Sequence, residues 1–95
     1  MIDTSNLAEK LSALNGLTFE ECEKEERMAG NTSVDVTFSK SFQARLAARA
    51  LGVNVYDIKE LPLKQYSKVV NETMTFLFSS SEESGQPSEK SEKQL

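Results

Sequence analysis

Five glutamates, Glu20, Glu21, Glu23, Glu25 and Glu26, crowd around Cys22, while Lys40, Arg45 and Arg49 lie in a stretch, 39–51, that holds no acid. Carboxylates in such numbers serve either as oxygen ligands for a hard divalent cation or as an acid/base pair. A hard-cation site draws its ligands from a shaped loop, and no alternation of acids around a central glycine is present here. The expected outcome is a charged, solvated helix face. Cys22 sits inside this run, where negative neighbours raise a thiol pKa and oppose nucleophilic reactivity, so we read it as a half-buried helix residue. It is the single cysteine, and the chain has no histidine. Intrachain disulfides, cysteine zinc clusters, His-ligated metals and the Ser-His-Asp and Cys-His triads are therefore excluded. No catalytic, cofactor-binding or metal-ligating residue is assigned, no cofactor is expected, and the inventory points to a binding module, not an enzyme.

A net charge of −4 makes general nucleic-acid binding an unfavourable expectation, since phosphate affinity comes largely from Lys and Arg. The distribution is more informative, with an acidic segment at 20–26 followed by a cationic one at 40–49. Arg45 and Arg49 are candidate contacts for an acidic partner or phosphate, against a plainer reading as a solvated face opposite Phe42 and Leu46. Two glycosylation-type triplets, Asn31-Thr32-Ser33 and Asn71-Glu72-Thr73, are given no function. Met1 to Ser5 lacks the pattern of a secretory signal and no apolar run approaches the ~20 residues of a membrane span, so a cytoplasmic protein without a membrane partner is expected.

These side chains must be positioned by helices. Leu7, Leu11 and Leu14 form an apolar stripe, with Asp3, Thr4 or Ser5 as candidate caps and Gly16 as the stop. Thr18 and Glu21 have capping-box spacing ahead of a charged helix from Phe19 to Met28. Val34, Val36 and Phe38 alternate with polar residues as a half-buried strand does. This segment pairs either with Val53-Asn54-Val55 or with another chain. Ser39 or Ser41 caps a helix whose apolar face is Phe42, Leu46, Ala47, Ala50 and Leu51, ended by Gly52. Asn54 caps a short turn through Tyr56, Ile58 and Leu61, interrupted by Pro62, which opens a last helix running to about Phe78. That helix carries Leu63, Tyr66, Val70, Thr73, Met74 and Leu77 as its core stripe. Val69, Phe76 and Phe78 fall off the stripe, an apolar surplus that makes them candidate partner-binding residues beside Arg45 and Arg49. The expectation is a mainly α domain over 1–78, of about four helices with one short strand or hairpin near 34–38. A disordered polar and acidic tail, low in apolar residues, is expected over 79–95.

The run Phe42-Gln43-Ala44-Arg45-Leu46-Ala47-Ala48-Arg49-Ala50-Leu51-Gly52-Val53 continues through Asp57-Ile58-Lys59-Glu60-Leu61-Pro62-Leu63-Lys64-Gln65-Tyr66 to Val69-Val70 and Phe76-Leu77-Phe78. It resembles the small tail assembly chaperones of long-tailed bacteriophages and prophages, in which an AxxLG helix, a D-I-x-x-L-x-L-x-x-Y linker and a closing helix ending in FL recur in that order. The resemblance covers residues 34–78. It implies a non-enzymatic role in virion morphogenesis, in which the protein binds the long, helical, aggregation-prone tape measure protein. It also implies self-association as a homo-oligomer, and often a longer frameshifted product tethered through the C-terminal tail. Two other readings compete. A small phage-encoded inhibitor, an anti-CRISPR or other anti-defence protein, would use the acidic helix as a nucleic-acid mimic, but would need a large surface of one sign. A helical transcriptional regulator would use Lys40, Arg45 and Arg49 on DNA, against an overall pI near 4.8.

Overall fold

The computed structural model describes residues 3–78. In chain order it comprises α1 (Leu7–Ser12), α2 (Gly16–Met28), a 3₁₀ turn (Val36–Phe38), α3 (Lys40–Leu51), α4 (Val55–Lys59) and α5 (Leu63–Phe78). The mainly helical expectation holds, with α4 a full short helix in its own right. The expected tail, 79–95, lies outside the described residues.

The third helix is the hub, packing against α1, α2, α4, α5 and the 3₁₀ turn. Its composition explains this. Ala44, Ala47 and Ala48 are buried between Phe42 and Leu46, and small side chains let neighbouring helices approach closely on several sides. Phe42 is wholly buried and meets Phe19 of α2 edge to face, centroids 5.0 Å apart. Leu7 and Leu11 of α1, Cys22 of α2, Ile58 of α4 and Val69 of α5 complete the same core. On the opposite side Gln43 Nε2 donates to the Thr37 carbonyl at 2.5 Å, tying α3 to the turn before it.

Local capping chemistry sets the element ends. Ser39 is extended and its Oγ accepts from Phe42 N at 3.2 Å, starting α3 as expected. At its end Gly52 takes φ 73°, and the amides of Gly52 and Val53 return to the carbonyls of Arg49 and Ala48, the paired bonds of a Schellman motif. Gly30, at φ 102°, closes α2 in the same way, with Gly30 N bonded to Arg27 O and Asn31 N to Glu26 O. A side chain at either position would strain the backbone. Asn54 and Asp57 form a reciprocal capping box at α4.

Three segments depart from the expectation. Gly16 does not stop the first helix. After Ser12 the chain tightens into i→i−3 bonds, Ala13 N to Lys10 O and Leu14 N to Leu11 O, and Gly16 opens α2. The cap of α2 is Asn15, extended at φ −126°, whose Oδ1 accepts from Thr18 N at 3.1 Å. Asn in that geometry is a strong N-cap, so the Thr18/Glu21 box does not form.

The expected strand at 34–38 is also absent, and no strand occurs among the described residues. The Asp35 side chain accepts from Thr37 N and Thr37 Oγ1 at 3.1 and 2.7 Å, an Asx-type bond that competes with strand pairing and curls the segment into a 3₁₀ turn. Val36 is buried while Val34 is fully exposed. Its proposed partner, Val53-Asn54-Val55, is consumed by the Schellman motif and the α4 cap.

The third correction concerns α5. Its buried residues are Val69, Val70 and Thr73, with Tyr66, Phe76 and Leu77 partly buried against the core and Thr73 Oγ1 donating to Val69 O. Val69, expected on the surplus surface, is 1% exposed, whereas Leu63, expected in the core, is 79% exposed. Tyr66, Val70, Thr73 and Leu77 face inward as expected, so the departure is confined to Leu63, which lies outside, and Val69, which joins the stripe.

Candidate partner-binding surface

Arg45 and Arg49 lie one turn apart on α3, and Glu21 and Glu25 one turn apart on α2; the packing of the two helices brings the pairs into register. Arg49 donates to Glu21 Oε1 and Glu25 Oε2, both at 2.9 Å, and Arg45 reaches Glu25 Oε1 at 3.5 Å and Glu26 Oε2 at 2.6 Å. Glu25 thus bridges the two arginines. The glutamate run is not the uniformly solvated face expected. Glu26 is buried, and its Oε1 accepts from Asn31 Nδ2 at 2.9 Å, which also reaches Ser39 Oγ. Burial pushes the Glu26 carboxyl up, but hydrogen bonds from Asn31 and Arg45 outweigh it and hold the group below the usual carboxylate range. The arginine pair fastens α2 and the 31–39 loop to α3, and much of the acidic charge on α2 is met inside the molecule.

The outer face of α5 is different. With Tyr66, Val69, Val70, Thr73 and Leu77 turned inward, Leu63, Lys64, Lys68 and Glu72 line one side of an open groove of about 860 Å³ whose other side is Leu7 and Ala8 of α1. Phe76 stands at its far end. Phe76 is half-buried and also lines a smaller apolar cavity, about 260 Å³, with Leu11, Leu14, Phe19, Leu46 and Leu77. It is the side chain shared by both hollows. Phe78 is 37% exposed and stacks on Phe38, centroids 4.7 Å apart, so the 3₁₀ turn covers the end of α5.

Of the sequence-derived candidates, then, Phe76 lines the groove, Phe78 neighbours the 3₁₀ turn, Arg45 and Arg49 form the α2–α3 ion pairs, and Val69 belongs to the core. Leu63, Lys64 and Lys68 were missed. The Lys64, Lys68, Glu72 spacing of four residues is present in the sequence, but Leu63 beside Lys64 has the spacing of a core residue and marks that face as an inward one.

Cys22 is fully buried, and burial, more than the neighbouring carboxylates, pushes its thiol up. No group of three or more His, Cys, Asp or Glu side chains is placed to hold a metal ion among the described residues. No helix among them is long and apolar enough to cross a membrane. No protein family matches the chain, and neither curated proteins nor solved structures give a significant match.

Proposed function

We propose that this chain is a phage tail assembly chaperone that binds the tape measure protein in the host cytoplasm without catalysing a reaction. The observation that carries this reading is the α1/α5 groove, open to solvent, with Ala8 of α1 on one side and Leu63 and Phe76 of α5 on the other. A chaperone for an amphipathic helix needs a hollow of this kind, because a helix docks by laying its apolar anchors into a groove. The resemblance over residues 34–78 supplies the identity of the client. The anti-defence alternative loses support from the α2–α3 ion pairs, since three of the acids a nucleic-acid mimic would display are engaged by Arg45 and Arg49.

Co-expression with the tape measure protein of the same phage tests the proposal. That protein should become soluble and co-purify, and Leu63→Asp, at a side chain 79% exposed, should abolish the effect while far-UV circular dichroism stays helical. A tape measure protein that remains insoluble with the wild-type chain, alone and as any longer frameshifted product, would overturn it.

A further inference from the structure

Lys64, Lys68 and Glu72 follow one another at single-turn spacing along the rim of the groove. Among the described residues every ion pair lies between α2 and α3, so none of these three is paired. The dipole of α5 adds to their pattern, positive at the Leu63 end and negative at the Phe78 end. The groove therefore runs from an electropositive end to an electronegative one over an apolar floor. From Leu63 to Phe76 it spans about 20 Å at 1.5 Å per residue, room for anchors at i, i+4 and i+7 of a docked helix.

The geometry points to one occupant: an amphipathic helix lying antiparallel to α5, with two acidic residues one turn apart in its C-terminal half and a basic residue in its N-terminal half. The acidic pair meets Lys64 and Lys68, the basic residue meets Glu72, and the occupant's own dipole has its negative end at the lysines. The inference rests on the chaperone reading only for which protein supplies the helix. Rim charges of this kind set orientation and choice of partner more than total affinity.

Two synthetic helical peptides of identical composition test it. Both carry the same leucine stripe; in one the glutamates lie C-terminal and the lysine N-terminal, and in the other these are exchanged. Fluorescence anisotropy with the full chain at low ionic strength should show about threefold tighter binding of the first, since the second either sets like charges against the rim or turns parallel to α5 and aligns the two helix dipoles. The preference should collapse near 1 M salt, where the screening length is about 3 Å. K64E/K68E should abolish it without loss of helicity, because both lysines are exposed and the rim then carries one sign throughout, and adding E72K to these two should reverse it. Equal binding of the two peptides, binding of neither, or a preference that survives K64E/K68E overturns the inference. Discrimination as expected, with a tape measure protein that stays insoluble on co-expression, would retire the chaperone function and leave the groove's charge reading standing. A solubilised tape measure protein with no peptide discrimination would do the reverse.

Discussion

Arg45→Ala removes the cation that Glu26 faces at 2.6 Å and leaves that carboxylate at 1% exposure. Breaking a buried ion pair from one side costs about 3–5 kcal/mol, because a charge is stranded away from water. Two features place this case at the lower end. The Arg45 side chain keeps 18% exposure, and Asn31 still donates to Glu26 at 2.9 Å. A loss of about 3 kcal/mol corresponds to a fall in Tm of roughly 12–24 °C for a domain of this size. It would consume a large share of the ~5 kcal/mol at the low end of the range for small domains. Urea titration followed by circular dichroism measures it directly, with an unchanged m-value showing that both proteins unfold from equally compact states. Replacing both partners, Glu26→Leu with Arg45→Met, should recover most of the loss, since apolar packing substitutes for the pair.

The pH dependence adds a second constraint on the same variant. Glu26 is held deprotonated to lower pH in the folded state than in the unfolded chain, so its contribution in the wild type is complete above about pH 4.5 and is lost as pH falls through its lower folded value. In Arg45→Ala the same carboxylate keeps its burial without its cation and gains from protonation. The stability gap between the two proteins should therefore narrow on acidification. A loss below about 1 kcal/mol at neutral pH, the scale of an exposed pair, or a gap that widens toward acid pH, would refute the reasoning.

Val69→Ala should cost roughly 2 kcal/mol in chemical denaturation and leave partner binding by the folded fraction unchanged, because Val69 is core; weakened binding at full stability would return it to the surface. Asn15→Ala should cost about 1 kcal/mol by thermal melting, and Thr18→Ala less, since the side chain that caps α2 is that of Asn15. Equal costs would point back to the Thr18 capping box. Cys22 should react with a thiol reagent only as the protein unfolds, its thiol being buried and pushed up, and prompt stoichiometric labelling of the native chain would contradict its place in the core.

Helix α3 was legible in its extent because its signals are local, a serine cap left open between Ser39 and Ser41, apolar spacing through Phe42 and Leu46, and Gly52 in the left-handed region at the end, whereas the burial of Gln43, Ala44 and Ala48 depends on the helices packed around it. The α4 turn and the start of α5 were legible for the same reason, through Asn54 and Pro62. Where two local signals compete, the sequence leaves the choice open. Val34, Val36 and Phe38 alternate as a strand, but the Asp35 side chain bonds within its own turn and no strand among the described residues rewards extension. Asn15 and Thr18 both cap helices in general, and the extended backbone at Asn15 decides between them.

The face of α5 that packs inward was harder still, because Leu63, Val69 and Phe76 are all apolar and only the positions of α1 and α3 determine which are covered. The ion pairs illustrate a signal present but unread. Glu21 and Glu25, and Arg45 and Arg49, share a four-residue spacing, and two such ladders of opposite charge on consecutive helices are complementary before any packing is known. The groove required both results at once, the exposure of Leu63 on α5 and the placement of α1 beside it.

The central claim is that a tape measure helix lies in the α1/α5 groove of the folded chain, and site-specific photo-cross-linking during co-expression tests it most directly. A photo-reactive residue at Ser67, which lines the groove, is compared with one at Glu20, exposed on α2. The account predicts a covalent adduct with the tape measure protein from position 67 and none from position 20. An adduct from position 20 alone, or co-purification of the tape measure protein with no adduct from position 67, would contradict it.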